Sequence, residues 1–558
     1  MIAMSLHIET ADMAIIIAYL VGIVAVGCWA GLRKRKQHSG GRDYFLAGGT
    51  LHWAVIGLAL FSTNISTVHL VSLAQEGYLN GLAYGNFEWM AAFTLIALAL
   101  FFAPFYIRSR VTTLPDFLEK RYDRHCRDWL ALLSIVSAIF IHIGGSLYAG
   151  AVVLRGLFGI DIMVSIISIS VLTGLYTIVG GLMAVVVTES IQTVILVAGA
   201  ACVTGIGLWK IGGWEGLTAH VDPVKLTMLR SADDASKLPW FSVFIGYPII
   251  GLWYWCADQT IVQRVLGARD ENHARVGPLF AGFIKILPVF IFVLPGVICA
   301  GLIHQGTLPD EIKDSSDTYA FMITHLLPVG LKGVVAAALL AALMSTVSGA
   351  LNSIATLFSH DIYKRWKPET SDKKLVRIGR IATFIGMMAA ITWSPFLSRF
   401  ESIFQGLNAM ICYIAPPITA VFVWGIFWRK ASTAGARATL YIGSFLGFLV
   451  FIIDWFKVNE GLFHWLNHHL PALSGLWKLW QNYDIPFMIM TFCLFAACSL
   501  ILVVGSFLRP HQHTAQSCQL VWSHPLESLQ SPGWRGFGNY KFLAGLLFLI
   551  MVFLYILF

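Results

Sequence analysis

The sequence predicts an all-α membrane protein with about fourteen transmembrane helices in a single domain over residues 1–558. Of its 558 residues, 57% are hydrophobic and only 12% are charged, whereas roughly 25% of the residues of a soluble protein are charged. The apolar residues also occur in long runs. A run of about 20 apolar residues is what an α-helix needs to cross the roughly 30 Å of bilayer hydrocarbon.

A hydropathy window predicts where the chain crosses the membrane. The predicted spans are 11–32, 52–75, 82–107, 128–157, 161–180, 184–209, 241–264, 276–304, 325–358, 378–396, 401–427, 434–456, 484–508 and 540–558. Acidic residues precede the first run and Arg33-Lys34-Arg35-Lys36 follows it. A signal peptide carries its positive charge before the apolar stretch, so this pattern predicts a retained helix.

Basic residues concentrate in alternate loops, and this pattern predicts the orientation. The basic loops are 33–42, 108–127, 264–275, 364–380 and 429–437. Since basic loops stay on the cytoplasmic side, we expect a multi-pass protein of the inner or plasma membrane with its N-terminus outside. The formal charge of +8 belongs to these loops and does not indicate nucleic-acid binding. The polar stretch 509–539 reads as a cytoplasmic connection before the last helix.

Several ionisable residues fall inside predicted spans, where a charge is costly and is usually functional. They are His69, Glu88, Glu189, Asp258 and Lys285. His69 has an equally good interpretation as a satisfied packing residue, and Glu189 as an interfacial residue at a helix end. Glu88 and Lys285 lie well inside apolar stretches, so each requires a partner, a cavity or a substrate.

Two groups of hydroxyl-bearing residues interrupt apolar helices. The run Ser62 to Thr67 offers side-chain hydrogen bonds that compete with the helical ones, which indicates either a broken helix of the kind that forms transporter sites or helix packing through small polar residues. Ser345 and Thr346 share a helix face with Ala342. Their oxygens suit a hard cation, although such hydroxyls more often bond a carbonyl of their own preceding turn.

The order of these residues and the segments around them resembles the sodium:solute symporter family, and within it the sodium/glucose cotransporter branch. The likeness extends over nearly the whole chain. Its segments are Asp43-Tyr44-Phe45-Leu46-Ala47-Gly48, Thr63-Asn64-Ile65-Ser66, Phe87-Glu88-Trp89, Gly180-Gly181-Leu182, Thr188-Glu189, Leu252 to Arg264, Leu351-Asn352-Ser353, Asp361-Ile362-Tyr363-Lys364 and Pro416-Pro417. The run from Leu252 to Arg264 is similar to the sugar-transporting branch in particular.

The resemblance implies a transporter core of two inverted five-helix repeats, at about 52–209 and 241–427. One peripheral helix, 11–32, precedes the core, and three follow it at 434–456, 484–508 and 540–558. The resemblance also implies a sodium site, whose ligands are the carbonyls of Ser62, Ile65 and Ala342 and the hydroxyls of Ser345 and Thr346.

Further residues carried over from the family concern the sodium route and the number of sodium ions. Glu189 stands on the sodium route, where the family usually has Asp. Ser348 matches one position of a second sodium site, but Gly349 lacks the hydroxyl found there in members that carry two ions. We therefore expect one Na⁺ per transport cycle.

The solute site implied by the resemblance consists of polar and aromatic side chains from several helices. Its residues are Asn64, His69, Glu88, Tyr254, Trp255, Lys285 and Asn408, with gates formed by Leu73, Phe87, Tyr254 and Phe404. Glu88 accepts hydrogen bonds and Lys285 donates them, which suits a ligand rich in hydroxyls. Asn408 replaces the family's Gln, and Gly251 stands where sugar carriers often have a polar residue, so the identity of the sugar stays open.

These patterns predict a sodium-coupled symporter that imports a sugar or sugar-like polyol by alternating access. A sodium symporter of an inositol, a nucleoside or a carboxylate is an alternative, although Glu88 would repel an anion. A sugar sensor without transport is a second alternative. The sequence contains no nucleophile–base motif, phosphate loop or metal-spaced cysteine cluster, so we do not expect an enzyme.

Overall fold

The computed structural model describes residues 9–37, 41–234, 238–309, 312, 315–399, 403–458, 486–510 and 514–558. This part of the chain is built from helices, and its only β-type pairing consists of two isolated bridges. The predicted all-α class is therefore confirmed.

The principal helices are numbered here in chain order. The first nine are α1 (Thr10–Gln37), α2 (Trp53–Asn64), α3 (Thr67–Asn80), α4 (Asn86–Ala97), α5 (Arg124–Ser137), α6 (Gly144–Phe158), α7 (Ile162–Ile211), α8 (Trp240–Leu252) and α9 (Gln259–Leu266). The others are α10 (Glu271–Ile284), α11 (Leu294–His304), α12 (Thr318–Leu326), α13 (Leu331–Leu357), α14 (Asp372–Trp393), α15 (Ile403–Phe427), α16 (Thr433–Val458), α17 (Phe487–Leu508) and α18 (Tyr540–Leu557). Shorter helices connect some of them, at Gly41–Leu46, Ala103–Arg108, Leu114–Arg121, Gly213–His220, Lys364–Trp366 and Ala515–Cys518.

Twelve helices in the described ranges are long and apolar enough to cross a membrane, so the predicted count of fourteen is not confirmed. The stretch Ile162–Ile211 is counted once, but it contains the non-helical residue Gly181, so the predicted division into spans 161–180 and 184–209 agrees with two helical segments that meet at a kink. The stretch Thr67–Arg108 is likewise counted once, although Gly81 (φ 75°, ψ −151°) interrupts it between α3 and α4. Helix α2 has only 12 residues and is too short to be counted.

The bend in α7 occurs at Gly181, whose φ of 58° and ψ of −153° lie outside the helical region. A Cβ atom at this position would lie 2.5 Å from the carbonyl oxygen of Tyr44. Only glycine adopts this conformation without strain, so Gly181 forms a kink at which two helical segments of α7 meet.

The helices that would open the two predicted repeats are both interrupted. Extended residues Ile65 and Ser66 separate α2 from α3. A π-helical turn, Trp253–Ala257, and the extended residue Asp258 separate α8 from α9. The division into repeats at 52–209 and 241–427 remains a prediction, and these breaks are of the kind expected where a transporter binds its substrates.

The C-terminal helix α18 braces the helix that carries Glu88. The Tyr555 hydroxyl donates to Oδ1 of Asn86 at 2.8 Å. The Tyr555 ring packs edge-on against the Trp89 ring, with centroids 5.5 Å apart. Helix α4 is thereby held on both sides of Glu88.

The N-terminal helix is joined to α13 through a buried carboxylate. Oδ1 of Asp12 accepts hydrogen bonds from the backbone N–H groups of Gly330 at 2.8 Å and Gly333 at 2.7 Å, and Asp12 is only 1% exposed. A carboxylate at this position satisfies donors at the helix N-terminus and complements the helix dipole. Asp12 therefore fixes α1 against the start of α13.

Replacing Asp12 by Ala should destabilise the protein, because two buried N–H groups lose their acceptor. We expect a loss of about 1–2 kcal/mol, as for other helix caps, seen as a lower midpoint of thermal unfolding in detergent. Glu9→Ala is the matched control, since Glu9 is an exposed carboxylate three residues earlier. Equal midpoints for the two variants would show that the Asp12 contact contributes nothing to stability.

Candidate functional site

The break between α2 and α3 lies where the hydroxyl-rich run Ser62 to Thr67 predicted it. Ile65 (φ −79°, ψ 107°) and Ser66 (φ −103°, ψ 174°) are extended. The Ser66 N–H donates to Nδ1 of His69 at 3.2 Å, so the imidazole caps the start of α3. His69 thus has a local structural role, and its other ring nitrogen remains for the neighbouring helices.

Two hydroxyls of α13 meet the carbonyls at this break. Ser345 Oγ donates to the carbonyl of Ser62 at 2.8 Å and of Ala342 at 3.0 Å. Thr346 Oγ1 donates to the carbonyl of Thr63 at 3.1 Å and of Ala342 at 3.3 Å. Each side chain therefore bonds a carbonyl of its own helix, as expected of such hydroxyls, and also a carbonyl of the broken helix opposite; the cation site remains a prediction.

Four of the five predicted sodium ligands converge at this junction. Ser62, Ala342, Ser345 and Thr346 are in direct contact, while fully buried Ile65 lies at the break itself and is not joined to either hydroxyl by the hydrogen bonds of the described residues. In the part of the chain that the structure describes, the buried Ser62 hydroxyl oxygen has no hydrogen-bond partner. This oxygen-rich, partly unsatisfied group of atoms fits a hard cation.

The carbonyl of Thr63 joins this group, although the sequence did not suggest it. The contacts run in the same order along both segments, because Ser345 bonds Ser62 and the next residue, Thr346, bonds Thr63. In the sequence these residues appear only as two separate pairs of adjacent polar residues.

Glu189 is fully buried and lies eight residues after the Gly181 kink of α7. Its carboxylate accepts from Nη2 of Arg264 at 2.5 Å and from Nε of Arg264 at 3.2 Å. Thr63 Oγ1 also donates to it at 2.7 Å. Sequence reasoning missed Arg264 as the partner, because α7 and α9 are far apart in the chain.

The absence of a side chain at Gly349 leaves space for this ion pair. A Cβ atom at Gly349 would lie 2.4 Å from Nη2 of Arg264 and 3.2 Å from Oε1 of Glu189. A serine or threonine hydroxyl is therefore absent at position 349 where the Arg264 guanidinium fills the adjacent space.

Replacing Glu189 by Gln should destabilise the protein strongly, since it leaves the buried Arg264 charge without a counter-ion. Breaking a buried pair costs about 3–5 kcal/mol, and thermal unfolding in detergent measures it. Glu189→Asp should cost less, because the charge is retained. The control is Glu215→Gln, which removes an exposed carboxylate; if Glu189→Gln unfolds at the same temperature as this control, the ion pair has no stabilising role.

A second buried ion pair joins α4 to the end of α10. Nζ of Lys285 contacts Oε2 of Glu88 in a short hydrogen bond, and each residue is 1% exposed. Nε2 of His69 lies 4.0 Å from Oε1 of Glu88. Helix α10 ends just before Lys285, and Pro288 follows, so backbone irregularity again coincides with a charged site.

A cavity brings these side chains together with most of the predicted solute site. All seven predicted solute residues line it, as do the predicted gates Leu73 and Phe87: Asn64, His69, Leu73, Phe87, Glu88, Tyr254, Trp255, Lys285 and Asn408. Thr346 lines it as well, so the hydroxyl–carbonyl junction adjoins the cavity. The side chain of the fourth predicted gate, Phe404, lies outside the described residues.

The cavity also has polar lining residues that sequence analysis did not single out. His142 and Ser146, one helical turn apart, both line it. Nε2 of His142 lies 3.1 Å from Oδ2 of Asp258, which gives the intramembrane Asp258 a partner. The sequence did contain a signal for this part of the cavity, since His142 is an ionisable residue inside the predicted span 128–157.

Steric crowding explains why position 251, where sugar carriers often have a polar residue, is a glycine in this chain. A Cβ atom there would lie 2.7 Å from Cε1 of Tyr247 and 2.8 Å from Cγ2 of Thr94. Tyr247 lines the cavity and donates its hydroxyl to the carbonyl of Phe87 at 2.8 Å. Tyr247 thus occupies the space beside Gly251.

Comparison with known proteins identifies relatives over most of this architecture. Residues 44–443 match the sodium:solute symporter family. The chain is 34% identical over 477 residues to sodium/glucose cotransporter 4 of Danio rerio, which covers 80% of this chain and 72% of the relative. It is 34% identical to a sodium/mannose cotransporter of Bos taurus (92% and 89% covered) and 33% identical to sodium/myo-inositol cotransporter 2 of Oryctolagus cuniculus (81% and 71% covered).

Among solved structures, the chain is similar to a Na⁺-coupled sialic acid symporter. The TM-score is 0.75 at 21% sequence identity, over 91% of this chain and 100% of the other. This similarity confirms the fold of a multi-pass secondary transporter.

Proposed function

The chain belongs to the sodium:solute symporter family, and on this premise we propose that its solute is a sugar or a sugar-like polyol, imported with sodium by alternating access. The observation that carries the proposal is the cavity in which a buried Glu88–Lys285 pair and His69 meet the uncharged polar group Asn64. Oδ1 of Asn64 is buried and has no hydrogen-bond partner among the described residues, so the cavity offers an acceptor for a hydroxyl.

The balance of charge in the cavity favours a neutral solute. Glu88 and Lys285 neutralise each other, so neither an anion nor a cation gains a free counter-ion there. Paired carboxylate and ammonium groups instead accept from and donate to hydroxyls. A ligand without those hydroxyls would leave buried polar groups unpaired, which is costly. Relatives named for glucose, mannose and myo-inositol support the same class of solute.

We assign the sodium ion to the carbonyls of Ser62, Ile65 and Ala342 and the hydroxyls of Ser345 and Thr346. An ion at this junction would fix the end of α2 against α13. Asn64 and Ser66, which line the cavity, lie at the same break, so sodium binding orders part of the solute site. Binding energy at one site then lowers the cost of binding at the other, which is the requirement for coupling.

One sodium ion per solute is consistent with the residues around Glu189, which we assign to the sodium route. Arg264 already neutralises this carboxylate and fills the space at Gly349. A membrane potential near 100 mV contributes about 2.3 kcal/mol per charge, and a tenfold sodium gradient adds about 1.4 kcal/mol. Together these terms permit accumulation of about 500-fold.

We propose the gates from the bulky side chains that line the cavity. Leu73 and Phe87, with Phe404, would close the outer path, and the Tyr254 ring the inner one. Tyr254 belongs to the π-helical turn between α8 and α9, where a small change in backbone angles moves the ring. Irregular turns of this kind absorb the motion of gating helices.

Sodium-driven uptake of labelled hexoses and inositols into proteoliposomes tests the proposal. Glu88→Gln should weaken apparent solute affinity by about 10- to 100-fold, the loss of a charged hydrogen bond, with sodium activation little changed. Glu76→Gln is the matched control, since Glu76 is a buried carboxylate that does not line the cavity. Uptake of a nucleoside or a carboxylate in place of sugars, or sugar binding without uptake, would contradict the proposed function.

The sodium assignment has its own test. Ser345→Ala should raise the sodium concentration for half-maximal uptake by roughly tenfold, corresponding to about 1.4 kcal/mol. Ser348→Ala should leave it unchanged, because the Ser348 hydroxyl donates to the carbonyl of Ser345 at 3.0 Å and lies at the second site that we do not expect to be used. Equal sodium dependence in Ser345→Ala and wild type would refute the site.

We further propose an inner or plasma membrane location with the N-terminus outside, which places 509–539 in the cytoplasm. Cys518 is exposed in this stretch, so a membrane-impermeant maleimide should label it only after permeabilisation of cells. Cys518→Ser identifies the labelled site. Labelling of intact cells that disappears in Cys518→Ser would reverse the orientation.

A further inference from the structure

A second polar group lines the cavity, on helices other than those of the Glu88 cluster. His142 belongs to the π-helical turn Ala138–Ile143 between α5 and α6. Its ring centroid lies 6.0 Å from that of the proposed gate Tyr254. Ionisable residues within a membrane domain are functional candidates, and the transport function described above assigns no role to this one.

Asp258 holds the His142 ring in place. Oδ1 of Asp258 accepts from the backbone N–H of Thr260 at 2.6 Å and so caps α9. Oδ2 lies 3.1 Å from Nε2 of His142. Both residues are buried, with Asp258 5% and His142 7% exposed. The carboxylate is therefore anchored by the start of a helix and can orient its partner.

The carboxylate also selects the tautomer of a neutral imidazole. An ionised carboxylate only accepts hydrogen bonds, so the proton must reside on Nε2, and Nδ1 then presents a lone pair. Among the hydrogen bonds of the described residues, none involves Nδ1 of His142. A residue that lines the cavity thus retains one unused acceptor.

We propose that Nδ1 of His142 accepts a hydrogen bond from one hydroxyl of the bound sugar or polyol, and that Asp258 is the positioning residue that keeps this nitrogen an acceptor. The proposal rests on the proposed function, because it specifies how the same cavity recognises its solute. It makes His142 a specificity-determining residue that requires a hydroxyl donor at one position of the solute.

The test compares a transported sugar with its monodeoxy and deoxyfluoro analogues as inhibitors of sodium-driven uptake at about pH 8, where imidazole is neutral. In the wild type, removing the hydroxyl that faces His142 should weaken inhibition about tenfold, the loss of a buried hydrogen bond. Fluorine accepts but cannot donate, so the deoxyfluoro analogue at that carbon should be no better.

Two variants separate recognition from structure. In His142→Ala the penalty at that one carbon should vanish, while penalties at the other carbons remain. Asp258→Asn keeps the helix cap but turns an N–H toward Nε2, which selects the other tautomer and makes Nδ1 a donor. The deoxyfluoro analogue should then inhibit several-fold better than the deoxy analogue. His325→Ala, a histidine outside the cavity lining, should behave as the wild type.

The outcomes distinguish this inference from the proposed function. Uptake of sugar by the wild type together with an unchanged deoxy pattern in His142→Ala overturns the inference alone, as does an unchanged order of analogues in Asp258→Asn. A wild type without sodium-dependent sugar uptake overturns both. His142→Phe retains a ring without the nitrogen, so it gives the same reading if the alanine variant does not fold.

Discussion

The architecture depends on one constraint, which is that a broken helix inside a membrane must satisfy its backbone groups within the protein. At the end of α2 the carbonyls of Ser62 and Thr63 are bonded by the hydroxyls of Ser345 and Thr346 on α13. The break and the facing hydroxyls therefore form one unit. The oxygens that satisfy the broken helix include the ones that we propose as sodium ligands.

The buried charges are organised by the same logic. Glu88 is paired with Lys285, Glu189 with Arg264, and Asp258 with His142. Each pair joins residues from different helices, because an isolated charge in a low-dielectric interior is very costly. The Glu88–Lys285 pair, which lines the cavity, contributes no net charge to it, and this suits the neutral, hydroxyl-rich solute that we propose.

The pairs also connect the sites to one another. Thr63 donates its hydroxyl to Glu189 and offers its carbonyl to Thr346, and Thr346 lines the solute cavity. The α2–α13 junction, the carboxylate of Glu189 and the cavity therefore share neighbouring atoms. At the sites that we propose, a change of occupancy at one would alter the hydrogen bonds available to the others.

The sequence by itself determined the all-α membrane class and the location of most helices, and it indicated the run Ser62 to Thr67 as a candidate break. These features follow from local composition, because apolar runs and intramembrane polar residues are visible along the chain. Most of the polar residues that line the cavity were expected from the resemblance to a transporter family, whereas His142 and Ser146 were not. Only the tertiary structure decided that Glu189 is paired with Arg264, that His142 meets Asp258 and that Thr63 joins the hydroxyl junction, since these partners come from distant helices. It also decided that the two helical segments of α7 meet in a kink at Gly181, because a hydropathy window measures polarity and does not report backbone angles.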